Sequence, residues 1–171
     1  MINMKGKFYL ARLTGFLTVM IIVSTMLPAQ EEIVVPATKE ELEKAYQENI
    51  SQSRLYGVYI PKDVDDAFNE FIALSTGEDI AKFKSADEDL VVKKLHFGIG
   101  RWMAVNWCFY EGSRLSHHLK EKGIGNPDDM ISFLIRAFHR KLNDKPVEAE
   151  RIISQLAEAR KKALEEQLKK E

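Results

Sequence analysis

The sequence predicts an all-α fold: a compact single-domain bundle of five to seven helices around a buried central helix, with a long C-terminal helix. Two observations lead to this prediction. Apolar residues recur at helical intervals through most of the chain after residue 38, and residues that begin or end helices separate these stretches. The stretch from Leu90 to Tyr110 is apolar on nearly all sides, which is typical of a helix surrounded by others.

The first 29 residues have the layout of a secretory signal peptide. Three basic residues precede an apolar run from Leu13 to Leu27, and Pro28-Ala29 ends that run with a small residue. The run is shorter than the roughly 20 apolar residues that span a membrane. We therefore expect cleavage after Ala29, no stable membrane span afterwards, and a periplasmic or secreted protein. An uncleaved anchor is the alternative.

Removal of residues 1–29 leaves 142 residues, a size typical of one domain with a real core. The remaining 22 basic and 26 acidic residues give a net charge of −4, which argues against nucleic acid as a partner. A single cysteine allows no internal disulfide, so packing must stabilise the fold. The predicted parts are a leader and N-terminal helix at 30–56, a core domain at 57–145, and an amphipathic C-terminal helix at 146–171 that packs on the core.

Capping signals set the expected helix boundaries. Thr38 and Glu41 have the spacing of a capping box and begin a helix to about Ser53. Pro61 favours an extended segment before it. Further helices are expected at 64–74 after Asp63, at about 78–84, at about 88–110 after a second capping box of Ser85 and Glu88, at 114–122 after Ser113, at 127–142 after Asn126, and from about Pro146 to the end.

Two glycines interrupt the central stretch. Gly98 and Gly100 each cost a helix roughly 1 kcal/mol relative to alanine. Close approach of a neighbouring helix, or a kink, is the expected reason for their presence. Cys108 in the same stretch is expected to be a small buried apolar side chain, and inert rather than nucleophilic.

Several short motifs resemble a known family. They are Tyr59-Ile60-Pro61-Lys62-Asp63, His96-Phe97-Gly98 with Trp102 and Asn106-Trp107, Gly112-Ser113-Arg114-Leu115, Pro127-Asp128-Asp129-Met130 and His139-Arg140. Over about residues 57–145 the chain thereby resembles an uncharacterised bacterial domain family that is frequent in the Bacteroidota. That family has no assigned activity, so the resemblance implies no catalytic residues. Relatives often carry histidine where this chain has Asn126, a departure that counts against a metal ligand there.

Histidines and aspartates in the same part of the chain raise the question of a metal site. Imidazole and carboxylate groups both bind zinc, and three protein ligands can suffice. No histidine pair has the four-residue spacing that places two ligands on one helix face, and two adjacent histidines point about 100° apart. We therefore predict no metal and no cofactor. The residues considered are His96, His117, His118, His139, Asp128 and Asp129.

A small envelope-acting hydrolase is the alternative function. Glu111 with His117 would act as acid and base, or Ser113 would act as nucleophile beside His96 or His117. Ser113 lies in Gly-Ser-Arg rather than in the strand-to-helix elbow that serine hydrolases use, and no sheet is expected to hold such an elbow. Helix capping accounts for this serine more simply.

The favoured hypothesis is a non-catalytic helical module that binds an unknown protein or an envelope glycan. Arg114 is the expected partner of Glu111, Asp128 or Asp129, because a guanidinium group holds a carboxylate through two hydrogen bonds. A structural polar network is expected to join the central helix to the two helices that follow it; its members are His96, Arg101, Asn106, Ser113 and His139. Aromatic residues and arginine are frequent in binding sites, and the binding candidates are Trp102, Trp107, Tyr110, Glu111, Arg114, His117, Asp128 and Asp129.

Overall fold

The computed structural model describes residues 38–169, and in this range the protein is all-α, as the sequence predicts. The described part contains seven helices and one two-stranded hairpin. The helices are α1 (Lys39–Ser51), α2 (Val64–Leu74), α3 (Gly77–Ser85), α4 (the consecutive segments Glu88–Leu95, His96–Gly100 and Arg101–Asn106), α5 (Arg114–Glu121), α6 (Pro127–Leu142) and α7 (Ala149–Leu168). The strands are β1 (Arg54–Leu55) and β2 (Val58–Tyr59), which pair antiparallel.

The predicted signal peptide, residues 1–29, and the leader up to residue 37 lie outside the described residues. Among residues 38–169, no helix is both long enough and apolar enough to cross a bilayer.

Most of the predicted helix starts are confirmed. Thr38 and Glu41 form the expected capping box, and the side chain of Asp63 accepts a hydrogen bond from the backbone N–H of Asp66. Ser113 begins α5 and Asn126 begins α6, with Pro127 at the first helical position. These side chains accept hydrogen bonds from N–H groups that have no partner inside the helix, which is why the sequence alone locates them.

The capping box predicted at Ser85 is wrong. Ser85 is the last residue of α3, and its hydroxyl donates to the carbonyl of Lys82. Asp87 caps α4 instead, through a 3.0 Å hydrogen bond from the N–H of Leu90 to its carboxylate. Glu88 is the first residue of α4 and its side chain turns towards α6. Ser85 and Asp87 are two residues apart and both can cap a helix, and sequence spacing does not decide which of them caps α4.

The helix α4 contains a turn of π-helix, His96–Gly100, between two α-helical segments. A Cβ atom on Gly100 would lie 2.3 Å from Cγ2 of Ile131 on α6, whereas one on Gly98 would meet nothing within 4 Å. The close approach expected of a glycine is therefore confirmed at Gly100. It allows the backbone of α4 to lie directly against α6.

The helix at the centre of the fold is α6, and the prediction that residues 90–110 form it is wrong. Eight of the 16 residues of α6 are buried, against seven of the 21 residues from Leu90 to Tyr110. Phe97 and Val105 are exposed, because only one side of α4 lies against the core, and Tyr110 is exposed in the turn that follows α4. An apolar pattern on all sides of a helix therefore does not by itself show burial on all sides.

The last helix, α7, packs against the core through apolar residues of its first half. Ile152 is buried, and Ile153 and Leu156 pack against the core. From Ala157 to Lys169 the residues are exposed, including Leu164 and Leu168. The helix begins at Ala149 rather than at Pro146.

Candidate functional site

The structure does not bring the predicted binding residues of 111–129 together. Arg114 illustrates this: its Nε donates a 2.7 Å hydrogen bond to the carbonyl of Ile60, and its guanidinium lies 5.1 Å from the ring centre of Tyr59. Its Nη2 is 4.0 Å from the carboxylate of Asp66. The expected pairs with Glu111, Asp128 or Asp129 are not formed, because Arg114 attaches α5 to the hairpin and to α2.

His117 belongs to the contact between α1 and α5. Its Nδ1 is 2.9 Å from the hydroxyl of Tyr46, and its Nε2 is 3.6 Å from the carboxylate of Glu121. Gly112, with a positive φ of 93°, lies under the same tyrosine, so that a Cβ there would be 2.3 Å from the Tyr46 ring. His117 is thus held in place by Tyr46 and Glu121. Helical spacing in the sequence does not predict the contact with Tyr46, because the two residues lie on different helices.

The two aspartates at the start of α6 have separate partners. Asp128 lies 3.5 Å from Nε2 of His96, and Asp129 accepts a 2.5 Å hydrogen bond from Nε of Arg160 on α7. Glu111 is exposed and makes no hydrogen bond or ion pair with any of the residues 38–169. Three carboxylates that the sequence placed in one junction therefore lie in three different environments.

Ser113 is fully buried, and its hydroxyl accepts a 3.3 Å hydrogen bond from the N–H of Ser116. The hydroxyl of Ser116 in turn accepts a hydrogen bond from the N–H of Ser113. Neither contact involves a histidine, and burial keeps substrate from the Ser113 hydroxyl. The arrangement is a helix cap, so it gives no support to the hydrolase alternative.

The predicted polar network is only partly assembled. His96 contacts Asp128 and Ser132, and Nε2 of the buried His139 is 2.9 Å from the carbonyl of Ala86, so both histidines join α6 to other elements. Arg101 is exposed, and the amide of Asn106 donates to the carbonyl of Trp102 within its own helix. Neither side chain makes a hydrogen bond or ion pair with another helix among residues 38–169.

An ion-pair cluster that the sequence did not reveal joins α4 to α6. The carboxylate of Glu88 lies 2.8 Å from Nη1 of Arg136 and 3.3 Å from Nη1 of Arg140. Burial acts to raise the pKa of Glu88, but the hydrogen bonds and charges of the two arginines outweigh it and the pKa is lowered. The spacing of Arg136 and Arg140, four residues apart on α6, was the available signal, since it places both on one helix face.

The two tryptophans, both predicted as binding residues, have different environments. Trp107 is 1% exposed and belongs to the core, so it offers a ligand very little surface, whereas Trp102 is 40% exposed. Their rings meet edge to face with centres 5.8 Å apart. Cys108, next to Trp107, is buried as expected, and burial with the nearby charge of Glu111 raises the pKa of its thiol to about 11. This thiol is therefore a poor nucleophile.

Trp102 lies at one end of a groove between α2 and α3 on one side and α4 on the other. Two adjoining cavities of about 470 and 440 Å³ form it, and they share Phe71, Leu74, Ser75 and Ile99. The first cavity is further lined by Asp79, Lys82, Phe83, Ala86, Leu90, Val91, Lys94 and Leu95, and the second by Gly98, Trp102, Met103 and Trp107. We call this continuous feature the apolar groove.

Exposed apolar side chains stand along the rim of the apolar groove. Leu74 is 62% exposed and Leu90 44% exposed. Of the residues that line the groove, only Trp102 and Trp107 were predicted from the sequence to bind a ligand. Helical spacing shows that apolar residues share a face but does not show whether another helix covers it.

The described residues contain no group of three or more histidine, cysteine, aspartate or glutamate side chains arranged to hold a metal ion. His96, His117 and His139 lie in three different contacts, with Asp128, Tyr46 and the carbonyl of Ala86 respectively. Burial, with the neighbouring Lys122 as a smaller cause, lowers the pKa of His118, so this imidazole favours its neutral form.

Comparison with known proteins gives one match. A family model described as Domain of unknown function (DUF6794) matches residues 60–142. No curated protein and no solved structure matches the chain. Every residue that lines the apolar groove falls within the matched segment.

Proposed function

We propose that the chain, whose residues 60–142 match the family model described as Domain of unknown function (DUF6794), is a secreted or periplasmic, non-catalytic binding module. Its binding surface is the apolar groove. The match agrees with the resemblance to an uncharacterised domain family. The location is supported by the order of basic, apolar and small residues in positions 1–29.

The observation that carries this proposal is an open apolar groove inside the family domain. Binding sites for ligands are typically concave, mostly apolar and about 300–1,000 Å³ in volume, and both cavities of the groove fall in that range. Leaving Leu74 and Leu90 exposed on its rim forgoes the free energy of burying them, roughly 25 cal/mol for each Å² of apolar surface. Contiguous exposed apolar surface of this kind marks interaction sites.

The polar groups of the groove support a binding rather than a catalytic role. The hydroxyl of Ser75 donates to the carbonyl of Phe71, and the carboxylate of Asp79 accepts a hydrogen bond from the hydroxyl of Thr76. Both groups therefore already have hydrogen-bond partners, Ser75 at the end of α2 and Asp79 at the start of α3. The acid, base and nucleophile candidates Glu111, His117 and Ser113 are not among the lining residues of the groove.

Binding of the neutral, environment-sensitive dye Nile red tests the proposal. The protein is purified from the exported fraction, where its mass is expected to match a chain that begins at Gln30. Leu74→Glu and Leu90→Glu place a hydrated carboxylate on the rim, and we expect each to weaken dye binding by at least about tenfold. Because both side chains are already exposed, the variants are expected to fold, which circular dichroism verifies.

Leu164→Glu is the matched control. Leu164 is 56% exposed, between Leu74 and Leu90 in exposure order, but lies on α7 and does not line the groove. It is expected to bind the dye as the unmodified protein does. Equal dye binding by all three variants, or no saturable binding at all, would show that the apolar groove is not a binding surface. A mass that includes residues 1–29 would contradict the signal peptide.

A further inference from the structure

The charged groups of the apolar groove all belong to its first cavity. Asp79, Lys82 and Lys94 line the first cavity, whereas none of the eight residues that line the second cavity is charged. An elongated ligand that matches this lining is polar at one end and apolar over the rest of its length. A ligand with polar groups along its whole length would leave them without partners in the second cavity.

The first cavity offers a lysine ammonium group to an anion, beside the carboxylate of Asp79 that lines the same cavity. The carboxylate of Asp79 is held by Thr76, and Lys82 lies 2.7 Å from Glu78 in a pair exposed to solvent. Lys94 is exposed, and its side chain makes no hydrogen bond or ion pair with any of residues 38–169. The ammonium group of Lys94 is therefore available to an anionic group at the mouth of the first cavity.

The dimensions suit a single hydrocarbon chain. Lys94 and Trp102 are eight residues apart on α4, which is roughly 12 Å along a helix axis. Between them the groove is bounded by apolar side chains from both sides, among them Phe71, Leu95 and Ile99. A hydrocarbon chain in this position contacts apolar side chains along its whole length and reaches the exposed ring of Trp102.

From this distribution of charge we infer that the ligand of the apolar groove is a medium-chain fatty acid. Its acyl chain lies between α2–α3 and α4, and its carboxylate lies beside Lys94. The inference rests on the proposed function, since it names the ligand class of the same groove. It requires no covalent step.

Three twelve-carbon probes that differ in the charge of the head group test the inference. They are laurate, dodecanol and dodecyltrimethylammonium, each used below its micelle concentration, and displacement of Nile red and calorimetry measure their binding to the full mature chain. Laurate is expected to bind at one site and most tightly, followed by dodecanol and then the cation. Shortening laurate to octanoate is expected to weaken binding by about two- to fourfold for each methylene removed from the groove.

Two lysine variants separate recognition of the carboxylate from burial of the chain. Lys94→Glu is expected to weaken laurate binding by about tenfold, with dodecanol binding unchanged. Lys93→Glu is the control, because Lys93 is the adjacent exposed lysine on α4 but does not line the groove. It is expected to bind both probes as the unmodified protein does.

Other outcomes overturn the inference in distinguishable ways. If the three probes bind equally, or if Lys94→Glu has no more effect than Lys93→Glu, carboxylate recognition is wrong while the groove still binds apolar ligands. Displacement of Nile red by an amphipathic helical peptide but not by laurate assigns the groove to a protein partner. A dimer that Leu90→Glu dissociates assigns it to a second copy of the chain. Absence of Nile red binding contradicts the proposed function together with the inference.

Discussion

The role of Glu88 in the structure differs from the role that the sequence predicts for it. In the sequence it completes the spacing of a capping box with Ser85, but in the fold it lies between Arg136 and Arg140. Only 17% of its side chain is exposed, so its ion pairs are screened less than surface pairs. The cluster connects the start of α4 to the middle of α6, and the nearby Nδ1 of His139 is 4.0 Å from the same carboxylate.

Replacing Glu88 by Gln is expected to destabilise the fold. At pH 7 the loss of the charged hydrogen bonds to the two arginines is expected to lower the free energy of unfolding by about 2 kcal/mol, measured by urea denaturation. Asp89→Asn is the control, since Asp89 also bonds Arg136 but 73% of its side chain is exposed; a loss below about 1 kcal/mol is expected.

The pH dependence of the same variant follows from the lowered pKa of Glu88. A carboxylate whose pKa is lower in the folded state contributes stability above its unfolded pKa of 4.5, and loses it as the pH falls through the folded pKa. The difference between the unmodified protein and Glu88→Gln is therefore expected to be full at pH 7 and to shrink below pH 4.5. A constant difference from pH 7 to pH 3 would contradict the role given to the charge.

At the scale of elements, α4 departs most from its sequence prediction. Helical spacing places Phe97, Trp102 and Val105 in an apolar pattern, yet the π turn at His96–Gly100 inserts an extra residue into the helical repeat. The π turn lies where Gly100 contacts Ile131, and the residues on the opposite side remain exposed. Sequence periodicity assumes a regular helix, so it fails at this turn.

The start of α4 gives a test at this scale. Asp87→Ala removes the acceptor for the N–H of Leu90 and is expected to cost about 1 kcal/mol of unfolding free energy, measured by thermal or urea denaturation. Ser85→Ala is the matched control, because Ser85 is also exposed and only two residues away. It is expected to change stability by less than about 0.5 kcal/mol. A larger loss of stability in Ser85→Ala than in Asp87→Ala would show that Ser85 is the cap.

At the scale of the whole molecule, α6 organises the core and α4 provides one wall of the apolar groove. The ring of Phe138 on α6 lies 5.2 Å from that of Phe71 and 5.8 Å from that of Phe68, which joins α2 to the centre. Phe71 also lines both cavities of the groove. The binding surface thus rests directly on the core, so its shape depends on the packing beneath it.

Phenylalanine truncations distinguish the two candidate central helices. Phe138→Ala is expected to lower the unfolding free energy by about 3–5 kcal/mol, because a buried ring leaves a cavity. Phe97→Ala on α4 is expected to cost less than about 0.5 kcal/mol, since Phe97 is 81% exposed. Urea denaturation of both variants measures the difference. Comparable losses would mean that α4 is as central as the sequence suggests.

The sequence by itself determined the all-α class, the long C-terminal helix and the helix starts at Thr38, Asp63, Ser113 and Asn126. These features depend on residues within a few positions of one another, and capping and helical spacing are local effects. The tertiary structure decided which helix is central, which tryptophan is exposed, and that Arg114 contacts Ile60 rather than Glu111. It also formed the apolar groove, whose walls come from three helices. Such contacts join residues far apart in the chain, and local pattern does not record which apolar faces other helices cover.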